Sequence, residues 1–453
     1  MLKNIFAGNS VRQKSTRGAL LTIANFGIQN GLRLGGNLIL TRILFPEAFG
    51  AMALLNVVLA GLNMFSDLGI RASIVQHSRG AEPLFLDTAW TIQIIRGFVL
   101  WGITCAIAGP LSSFYEAPIL ADLLPVAGLT LVFQGLNSTA IASASRNLTL
   151  GRLSFIEVGS STIGLVAVIF LAISWGNVWA LAIGSLVSPF FTMALSHFAI
   201  PGHNNRFRFE RESAYELIRF GKYLLLSTLA GFLILQLDKA VIAKSFSLVD
   251  LSMYHIAFMF ASIPIVVLKK LNDMILFPLY SRLPPNQSRE NFCNIAKARI
   301  RMNGFSMLLL GLLSIFGDHF IQLIYDPRYE SAGILVVWLA IGLLPTIVTA
   351  NYGSMMLAAG DSGKYAILMI FNAVVRTACL FFGIFAFGIT GAALAPLFAT
   401  ICYYPVLVWR IRPYGGWIPM QDVLFGVASC AFIALAISNN YDAIKASLNN
   451  FPF

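Results

Sequence analysis

The sequence predicts an all-α polytopic membrane protein, and two observations lead to that fold class. Of the 453 residues, 57% are hydrophobic and only 11% are charged, whereas soluble domains carry about 25% charged residues. The apolar residues fall into thirteen stretches, each long enough for a helix to cross a bilayer. Because lipid offers the backbone no hydrogen-bond partner, stretches of this length must be helical.

Each predicted span begins and ends where apolar composition gives way to polar or charged residues. The spans cover residues 18–43, 49–75, 84–109, 119–143, 153–174, 177–198, 215–243, 249–273, 301–325, 332–358, 364–387, 389–410 and 421–439. The last span is short and is followed by Asn439 and Asn440. We therefore expect one or two extra helices after the first twelve.

The distribution of Lys and Arg predicts that the N-terminus lies in the cytoplasm. With that orientation, 23 of the 31 basic residues lie in the inside connections or at the inner ends of spans, five lie on the outside, and three lie at mid-span. Cytoplasmic loops of multi-pass proteins are rich in Lys and Arg. The net charge of +11 is therefore interpreted as a sign of topology and not of nucleic-acid binding.

The basic connection HNNRFRFERES at residues 203–213 divides six spans from six and indicates an internal duplication. Two six-helix halves that both begin inside would be parallel repeats, related by an axis along the membrane normal. We predict an N-terminal six-helix lobe over residues 1–205 and a C-terminal six-helix lobe over 206–411. An extra transmembrane helix and a tail would occupy 412–453.

The first span predicts two different helix faces. Gly27, Gly31 and Gly35 recur every four residues, a pattern that allows a neighbouring helix to approach closely. A polar set with the same spacing lies about 200° away around the helix. This set comprises Asn25, Gln29, Arg33 and Asn37. Because it includes a full charge, we predict that it lines a water-filled cavity, with hydrogen bonding between helices as the alternative.

Three arginines lie deep inside predicted spans, where one charge costs about 2.5–3.5 kcal/mol on insertion scales. They are Arg33, Arg96 and Arg376, and Gln93 and Asn372 lie one helical turn before the second and third of them. In the predicted topology all carboxylates lie nearer to helix ends. We predict that these guanidinium groups and their polar neighbours bind an anionic substrate. The alternative is bonding to helix-end carbonyls or to a carboxylate on another span.

Asp238 and Lys239 are candidates for an outer gate, with a simple interfacial anchor as the alternative. The chain has five cysteines but no CxxC pair, which gives no indication of a disulfide framework or a zinc site. The segment AAGDSGKY at 358–365 lacks the first glycine and the final Ser/Thr of a phosphate-binding loop. We therefore predict no metal, no cofactor and no catalytic constellation, so the chain is not expected to be an enzyme.

Four segments resemble, in their order along the chain, the polysaccharide-transporter branch of the multidrug/oligosaccharidyl-lipid/polysaccharide exporter superfamily, the Wzx-type bacterial flippases. They are LTRILFPEAFG, FSDLGIRASIVQ, DTAWTIQIIRG and QLDKAVIAK. The likeness covers about the first 410 residues and is strongest in the first 150. Many members of this family have fourteen spans, whereas at most thirteen are predicted here.

The resemblance implies two six-helix lobes around a central cavity that work by alternating access. It implies transport of an undecaprenyl-pyrophosphate-linked oligosaccharide, a repeat unit of O-antigen, capsule or exopolysaccharide, from the inner to the outer leaflet. It also implies residence in the bacterial inner membrane and association with the polymerase and glycosyltransferases of the same pathway.

The alternatives are a lipid II flippase and a drug/cation antiporter of the same superfamily. From another class, an O-antigen ligase or polymerase or a polytopic glycosyltransferase is disfavoured because the outside loops are short.

Overall fold

The computed structural model describes residues 11–147 and 149–450, without the side chains of 11–20, 150, 220, 222–224, 226 and 448–450. Within these ranges all regular secondary structure is helical and no β-strand occurs, which confirms the predicted all-α class. The chain divides into two compact units, Met1–Leu229 and Ala230–Phe453. The lobe limits at residues 205 and 411 remain predictions.

The N-terminal unit combines long helices with short ones that follow breaks in the chain. Its helices are α1 (Val11–Ile43), α2 (Pro46–Phe65), α3 (Ile70–Gln76), α4 (Pro83–Phe114), α5 (Ile119–Ala127), α6 (Leu129–Leu136), α7 (Ala140–Arg146), α8 (Leu150–Trp175) and α9 (Val178–Phe198). Helix α10 (Arg211–Leu235) begins in this unit.

The C-terminal unit has the same character, with several spans broken into consecutive helices. Its helices are α11 (Leu237–Ser245), α12 (Leu248–Ala261), α13 (Ile263–Leu271), α14 (Phe277–Arg282), α15 (Arg289–Ile324), α16 (Ser331–Leu343), α17 (Thr346–Thr349), α18 (Gly353–Ala358), α19 (Ser362–Ile411), α20 (Pro419–Asn439) and α21 (Tyr441–Asn450). A π-helical turn, Asn272–Leu276, joins α13 to α14.

In the described part of the chain, nine helices are long and apolar enough to cross a membrane, or ten if one bent pair counts as a broken span. Helices α1, of 33 residues, and α10, of 25 residues, cover two further predicted spans. Helix α19, of 50 residues, covers two predicted spans on either side of a kink. Each of the thirteen predicted stretches thus lies mainly in helix, and the multi-pass membrane class is confirmed.

The kink in α19 lies at Phe387 and Gly388. Gly388 has φ 59° and ψ −140°, a conformation that glycine adopts without the clash that a Cβ would cause. The two halves of the helix then approach closely, since a Cβ on Gly391 would lie 1.8 Å from the carbonyl oxygen of Gly383. The kink therefore brings residues from both halves of α19 to one cavity, described below.

A second break, between α2 and α3, positions an acidic side chain. Gly69 has φ 60°, and its N–H donates to the carboxylate of Asp67 at 2.8 Å. This turn ends α2 and holds Asp67 beside the residues of the final turn of that helix.

The predicted packing face of α1 is wrong. A Cβ on Gly27, Gly31 or Gly35 would meet nothing within 4 Å, whereas a Cβ on Gly36 would lie 2.3 Å from the side chain of Leu165 on α8. Gly36 lies eleven residues after Asn25, which places both on the same side of the helix. The glycine spacing correctly identified a helix face without side chains, but α8 packs against the opposite face of α1, which carries Asn25 and Gly36.

Candidate functional site

The polar set on α1 is partly engaged by α8. The Nδ2 of Asn25 donates to the carboxylate of Glu157 at 2.6 Å, so the interhelical hydrogen bonding considered as the alternative occurs at this position. Arg33 is exposed, and its Nη2 donates to Asn30 at 3.1 Å. Gln29 and Asn37 are half-buried. A role for this set in substrate binding remains a prediction.

Arg96, on α4, connects that helix to the end of α2. Its Nη2 donates to the backbone carbonyl of Asn63 at 2.7 Å and to the side-chain oxygen of the same residue at 2.6 Å. Its Nε donates to the hydroxyl of Ser66 at 3.1 Å. A guanidinium at the end of α2 interacts favourably with the negative end of the helix dipole. Arg96 thus makes the helix-end contacts considered as the alternative, while also lining a cavity.

This N-terminal cavity has a volume of about 140 Å³ and lies among α2, α4 and α6. Its polar lining comes from Asn63, Asp67, Arg71, Gln93, Arg96 and Gln134, and the apolar part of the wall includes Leu100 and Leu131. The side chain of Asn63 donates to Gln134 Oε1 at 2.9 Å. The cavity therefore has an ordered polar side formed by three helices.

Gln93 closes the cavity at the end of α6. Its Nε2 donates to the backbone carbonyls of Gln134, Gly135 and Asn137 at 2.9–3.4 Å. The close approach of α4 and α6 at this level depends on glycine, because a Cβ on Gly97 would lie 2.8 Å from the carbonyl oxygen of Leu131. Gln93 and Arg96 line the same cavity, and their role in substrate binding remains a prediction.

Arg376 lines a different and much smaller cavity, in the C-terminal unit. The volume is about 10 Å³, and the other lining residues are Leu233, Ile234, Asp238, Tyr254, Leu380, Ala392, Ala395 and Pro396. A space of this size holds at most one water molecule, so it does not admit a substrate group in this conformation. Asn372, four residues before Arg376, is half-buried.

Asp238 and Lys239 belong to the same cluster as Arg376. Asp238 accepts a hydrogen bond from the hydroxyl of Tyr254 at 2.8 Å. Lys239 is buried, with its Nζ 3.5 Å from Asp238 Oδ1, 2.9 Å from the carbonyl of Leu235 and 3.9 Å from the centre of the Phe258 ring. The gate assignment remains a prediction.

One premise about the arginines requires correction. The sequence placed all carboxylates nearer to helix ends than the arginines, yet Asp67 lines the cavity of Arg96 and Asp238 lines that of Arg376. The helices break directly beside these acids, at Ser66–Gly69 and at Gln236. A carboxylate at a break can lie opposite the middle of a neighbouring helix.

Sequence reasoning missed a buried ionic cluster in the C-terminal unit. Arg299 on α15 is fully buried, lies over the Tyr352 ring with its Cζ 3.8 Å from the ring centre, and has Nη2 3.7 Å from Asp422 Oδ1. Asp422 accepts hydrogen bonds from the side chains of Tyr352, Tyr404 and Trp417 at 2.8–3.1 Å. Arg299 had been counted among the loop cations. Its spacing from Asn303 and Ser306, which are also buried, was the signal of an inward polar face.

On the cytoplasmic side of the predicted topology, a second ionic cluster surrounds Arg79. Its guanidinium contacts Glu82 at 2.8 Å and Glu210 at 2.7 Å. The hydroxyl of Ser213 and the Arg79 guanidinium lower the pKa of Glu210. This cluster holds the connection before α10 against the start of α4.

Among the described residues, no group of three or more His, Cys, Asp or Glu side chains is arranged to hold a metal ion.

The fold is that of the transporters of the multidrug/oligosaccharidyl-lipid/polysaccharide superfamily. An inward-facing multidrug resistance MATE family transporter superposes with a TM-score of 0.66 at 14% identity, covering 90% of this chain and 99% of its own. The lipid II flippase MurJ in an inward closed conformation gives 0.64 at 14% identity, covering 94% and 99%. A superfamily transporter from Pyrococcus furiosus, described as having a binding pocket of reverse polarity, gives 0.60 at 15% identity, covering 89% and 96%.

The chain belongs to the polysaccharide biosynthesis protein family, whose model matches residues 39–332. This confirms the resemblance to the polysaccharide-transporter branch.

Characterised relatives are similar over much of the chain. The succinoglycan biosynthesis transport protein ExoT of Rhizobium meliloti is 24% identical over 68% of this chain and 60% of its own length. The lipopolysaccharide biosynthesis protein WzxC of Escherichia coli is 24% identical over 77% and 71%. The teichuronic acid biosynthesis protein TuaB of Bacillus subtilis is 22% identical over 65% and 61%. The match thus spans about three fifths of the length of ExoT and TuaB.

Proposed function

We propose that this protein is a flippase that moves an undecaprenyl-pyrophosphate-linked oligosaccharide from the inner to the outer leaflet of the bacterial inner membrane. The observation that carries the proposal is that Arg96 and Arg376 each line a cavity within the helices of a polysaccharide biosynthesis family member. Relatives named for succinoglycan, lipopolysaccharide and teichuronic acid biosynthesis support a lipid-linked sugar as the cargo. On this proposal the protein is a transporter and not an enzyme.

The cargo carries a concentrated negative charge on its pyrophosphate, and arginine binds phosphate oxygens with two parallel hydrogen bonds. Arg33 and Arg376 are the proposed contacts for this linker at successive stages of transport, and Arg96 is proposed to act at the substrate site through the cavity that it lines. Arg376 meets it only after its cavity opens, because about 10 Å³ excludes a phosphate group. An acidic partner beside each cavity arginine would keep the charge balanced while the site is empty.

The membrane potential favours the proposed direction. With an inside-negative potential, moving one negative charge outward releases about 2.3 kcal/mol per 100 mV. The proposed cytoplasmic N-terminus follows from the bias of basic residues toward the inside connections. Flipping of a pyrophosphate-linked lipid in vesicles that is indifferent to an imposed potential and to ion gradients would remove this driving force from the proposal.

A lipid II flippase is the second candidate, because MurJ shares the fold over 94% of this chain. Complementation separates the two. The protein is expressed in a strain that lacks its polysaccharide flippase and in a strain depleted of its lipid II flippase, and surface polysaccharide and growth are measured. Rescue of polysaccharide alone supports the proposal, whereas rescue of growth alone supports lipid II.

The same strain tests the arginines. Arg33→Ala, Arg96→Ala and Arg376→Ala are expected to lower surface polysaccharide and to raise the level of the lipid-linked precursor. Arg282→Ala, which changes an exposed arginine at the end of α14, is the matched control. Normal polysaccharide in all three variants at normal expression would remove the assignment of these residues.

A further inference from the structure

We propose that the N-terminal cavity binds one neutral sugar ring of the cargo and not its pyrophosphate. This inference rests on the proposed flippase function and deepens it, because it assigns the sugar-reading part of the substrate site to Asn63, Asp67, Gln93 and Gln134.

The guanidinium of Arg96 is already committed within the protein. Its Nη2 and Nε make three hydrogen bonds, to the carbonyl and side chain of Asn63 and to Ser66. A guanidinium has five donors, so the two N–H groups of Nη1 are those outside these bonds. Arg96 therefore acts in this cavity mainly as a positioning residue, which fixes the side chain of Asn63.

That fixed asparagine sets the orientation of Gln134. Asn63 Nδ2 donates to Gln134 Oε1, which leaves the amide nitrogen of Gln134 as the donor available to a ligand. Gln93 uses its nitrogen for the carbonyls at the end of α6, so its oxygen is the acceptor available to a ligand. Both side chains line the cavity, and Gln134 is exposed within it.

Asp67 adds a charged acceptor. One of its carboxylate oxygens receives the N–H of Gly69 at 2.8 Å, and the side chain lines the cavity. Asp67 offsets one of the two guanidinium charges, Arg71 and Arg96, that line the cavity, and its carboxylate offers no donor to a pyrophosphate, which only accepts hydrogen bonds. A sugar hydroxyl both donates and accepts, so it matches a wall that presents a carboxylate and an amide oxygen beside an amide nitrogen and Arg71.

The size agrees with a single ring. A volume of about 140 Å³ is well above the roughly 10–15 Å³ that one water molecule needs on the same measure. It is below the range of about 300–1,000 Å³ typical of sites that enclose drug-sized ligands. The cavity can therefore take one monosaccharide unit or part of it, while the rest of the oligosaccharide lies outside.

The test measures binding of defined lipids to the full-length protein in lipid nanodiscs by native mass spectrometry. The probes are bare undecaprenyl pyrophosphate and the same lipid carrying one glucose, one galactose or one N-acetylglucosamine. The key variant is Gln134→Leu, which has similar volume but no donor. Its matched control is Gln287→Leu, in an exposed loop, and Gln134→Glu is a second variant that keeps the side-chain shape. Helicity and thermal unfolding establish that each variant is folded.

We expect the wild-type protein to bind at least one sugar-bearing lipid about tenfold more tightly than the bare lipid, equivalent to one or two hydrogen bonds. Gln134→Leu should reduce this preference below about threefold and leave binding of the bare lipid within about twofold of wild type. Gln287→Leu should retain the full preference. Arg376→Ala should weaken both kinds of lipid.

Three results would overturn the inference alone. The first is wild-type binding of bare and sugar-bearing lipids with equal affinity. The second is a preference that survives both Gln134 variants, which would mean that the cavity holds only water. The third is an equal loss of both kinds of lipid in Gln134→Leu, which would place the pyrophosphate there. Failure of the wild type to bind any of these lipids would instead refute the proposed flippase function.

Discussion

The buried pair of Arg299 and Asp422 predicts a specific order of stabilities among three variants. Arg299 is fully buried, and none of its guanidinium nitrogens makes a hydrogen bond within the described residues. Its charge is compensated by Asp422 at 3.7 Å and by the face of Tyr352 at 3.8 Å. Asp422→Leu removes the only carboxylate within 4 Å of Arg299 in the described chain and leaves its charge buried.

Breaking a buried ion pair by removing one partner costs about 3–5 kcal/mol. For a unit of roughly 200 residues, each kcal/mol lowers Tm by about 2–4 °C, so a fall on the order of 10 °C is expected for Asp422→Leu. Arg299→Met removes the charge and leaves Asp422 bonded to three side-chain donors. The fall in Tm of Arg299→Met should therefore be smaller than that of Asp422→Leu. Adding Arg299→Met to Asp422→Leu should restore part of the lost stability, although a further side chain is changed.

The assay is thermal unfolding of the purified full-length protein in one detergent, followed by intrinsic fluorescence and by loss of monomer in size-exclusion chromatography. Lys364→Ala is the matched control, because its ion pair with Asp361 is exposed and such pairs contribute at most about 1 kcal/mol. A double variant less stable than Asp422→Leu alone, or an Asp422→Leu variant no less stable than the control, would refute this account of the cluster.

Three further predictions concern the N-terminal unit. Gly97→Ala should lower thermal stability by about 1–3 kcal/mol through overpacking against α6, whereas Gly102→Ala on the same helix, where a Cβ meets open space, should be neutral or stabilising. Hydrogen bonding, first to Ser213, lowers the pKa of Glu210. The ionised Glu210 should therefore stabilise the protein above the unfolded pKa of about 4.3, and this stabilisation should be lost as pH falls toward the lower folded pKa. Thermal unfolding measured from pH 7 to pH 3.5 should show that Glu210→Gln loses less stability on acidification than the wild type. Arg96→Lys should retain less than half of wild-type export in the complementation strain at equal expression, because an ammonium cannot reproduce the forked bonds to α2; full export would contradict this.

Helix positions were accessible from the sequence because they depend on local composition. Each of the thirteen predicted apolar stretches lies mainly in helix, since a segment in lipid must satisfy its own backbone hydrogen bonds. The break after α2 was not predicted, although Asp67 and Gly69 are residue types that favour turns. An apolar average over 49–75 obscured it.

The candidate site was predicted only in part. The mid-span positions of Arg96 and Arg376 were sufficient to select residues that line cavities. Asn63 and Gln134 were missed, because a single amide in an apolar helix is as common in helix packing as in a binding site. Arg299 was missed for the opposite reason, since its charge was attributed to a loop.

The sequence by itself determined the class of molecule: a chain of apolar segments with basic connections, in which a few charges lie at depths where lipid does not tolerate them. These are properties of composition and spacing. Only the tertiary structure decided which side of α1 meets α8, which acid lies beside Arg96 and which beside Arg376, and which polar side chains line the N-terminal cavity. The physical reason is that a helix presents every face at a spacing of 100° per residue, and the choice among faces depends on the shape and breaks of neighbouring helices far away in the chain.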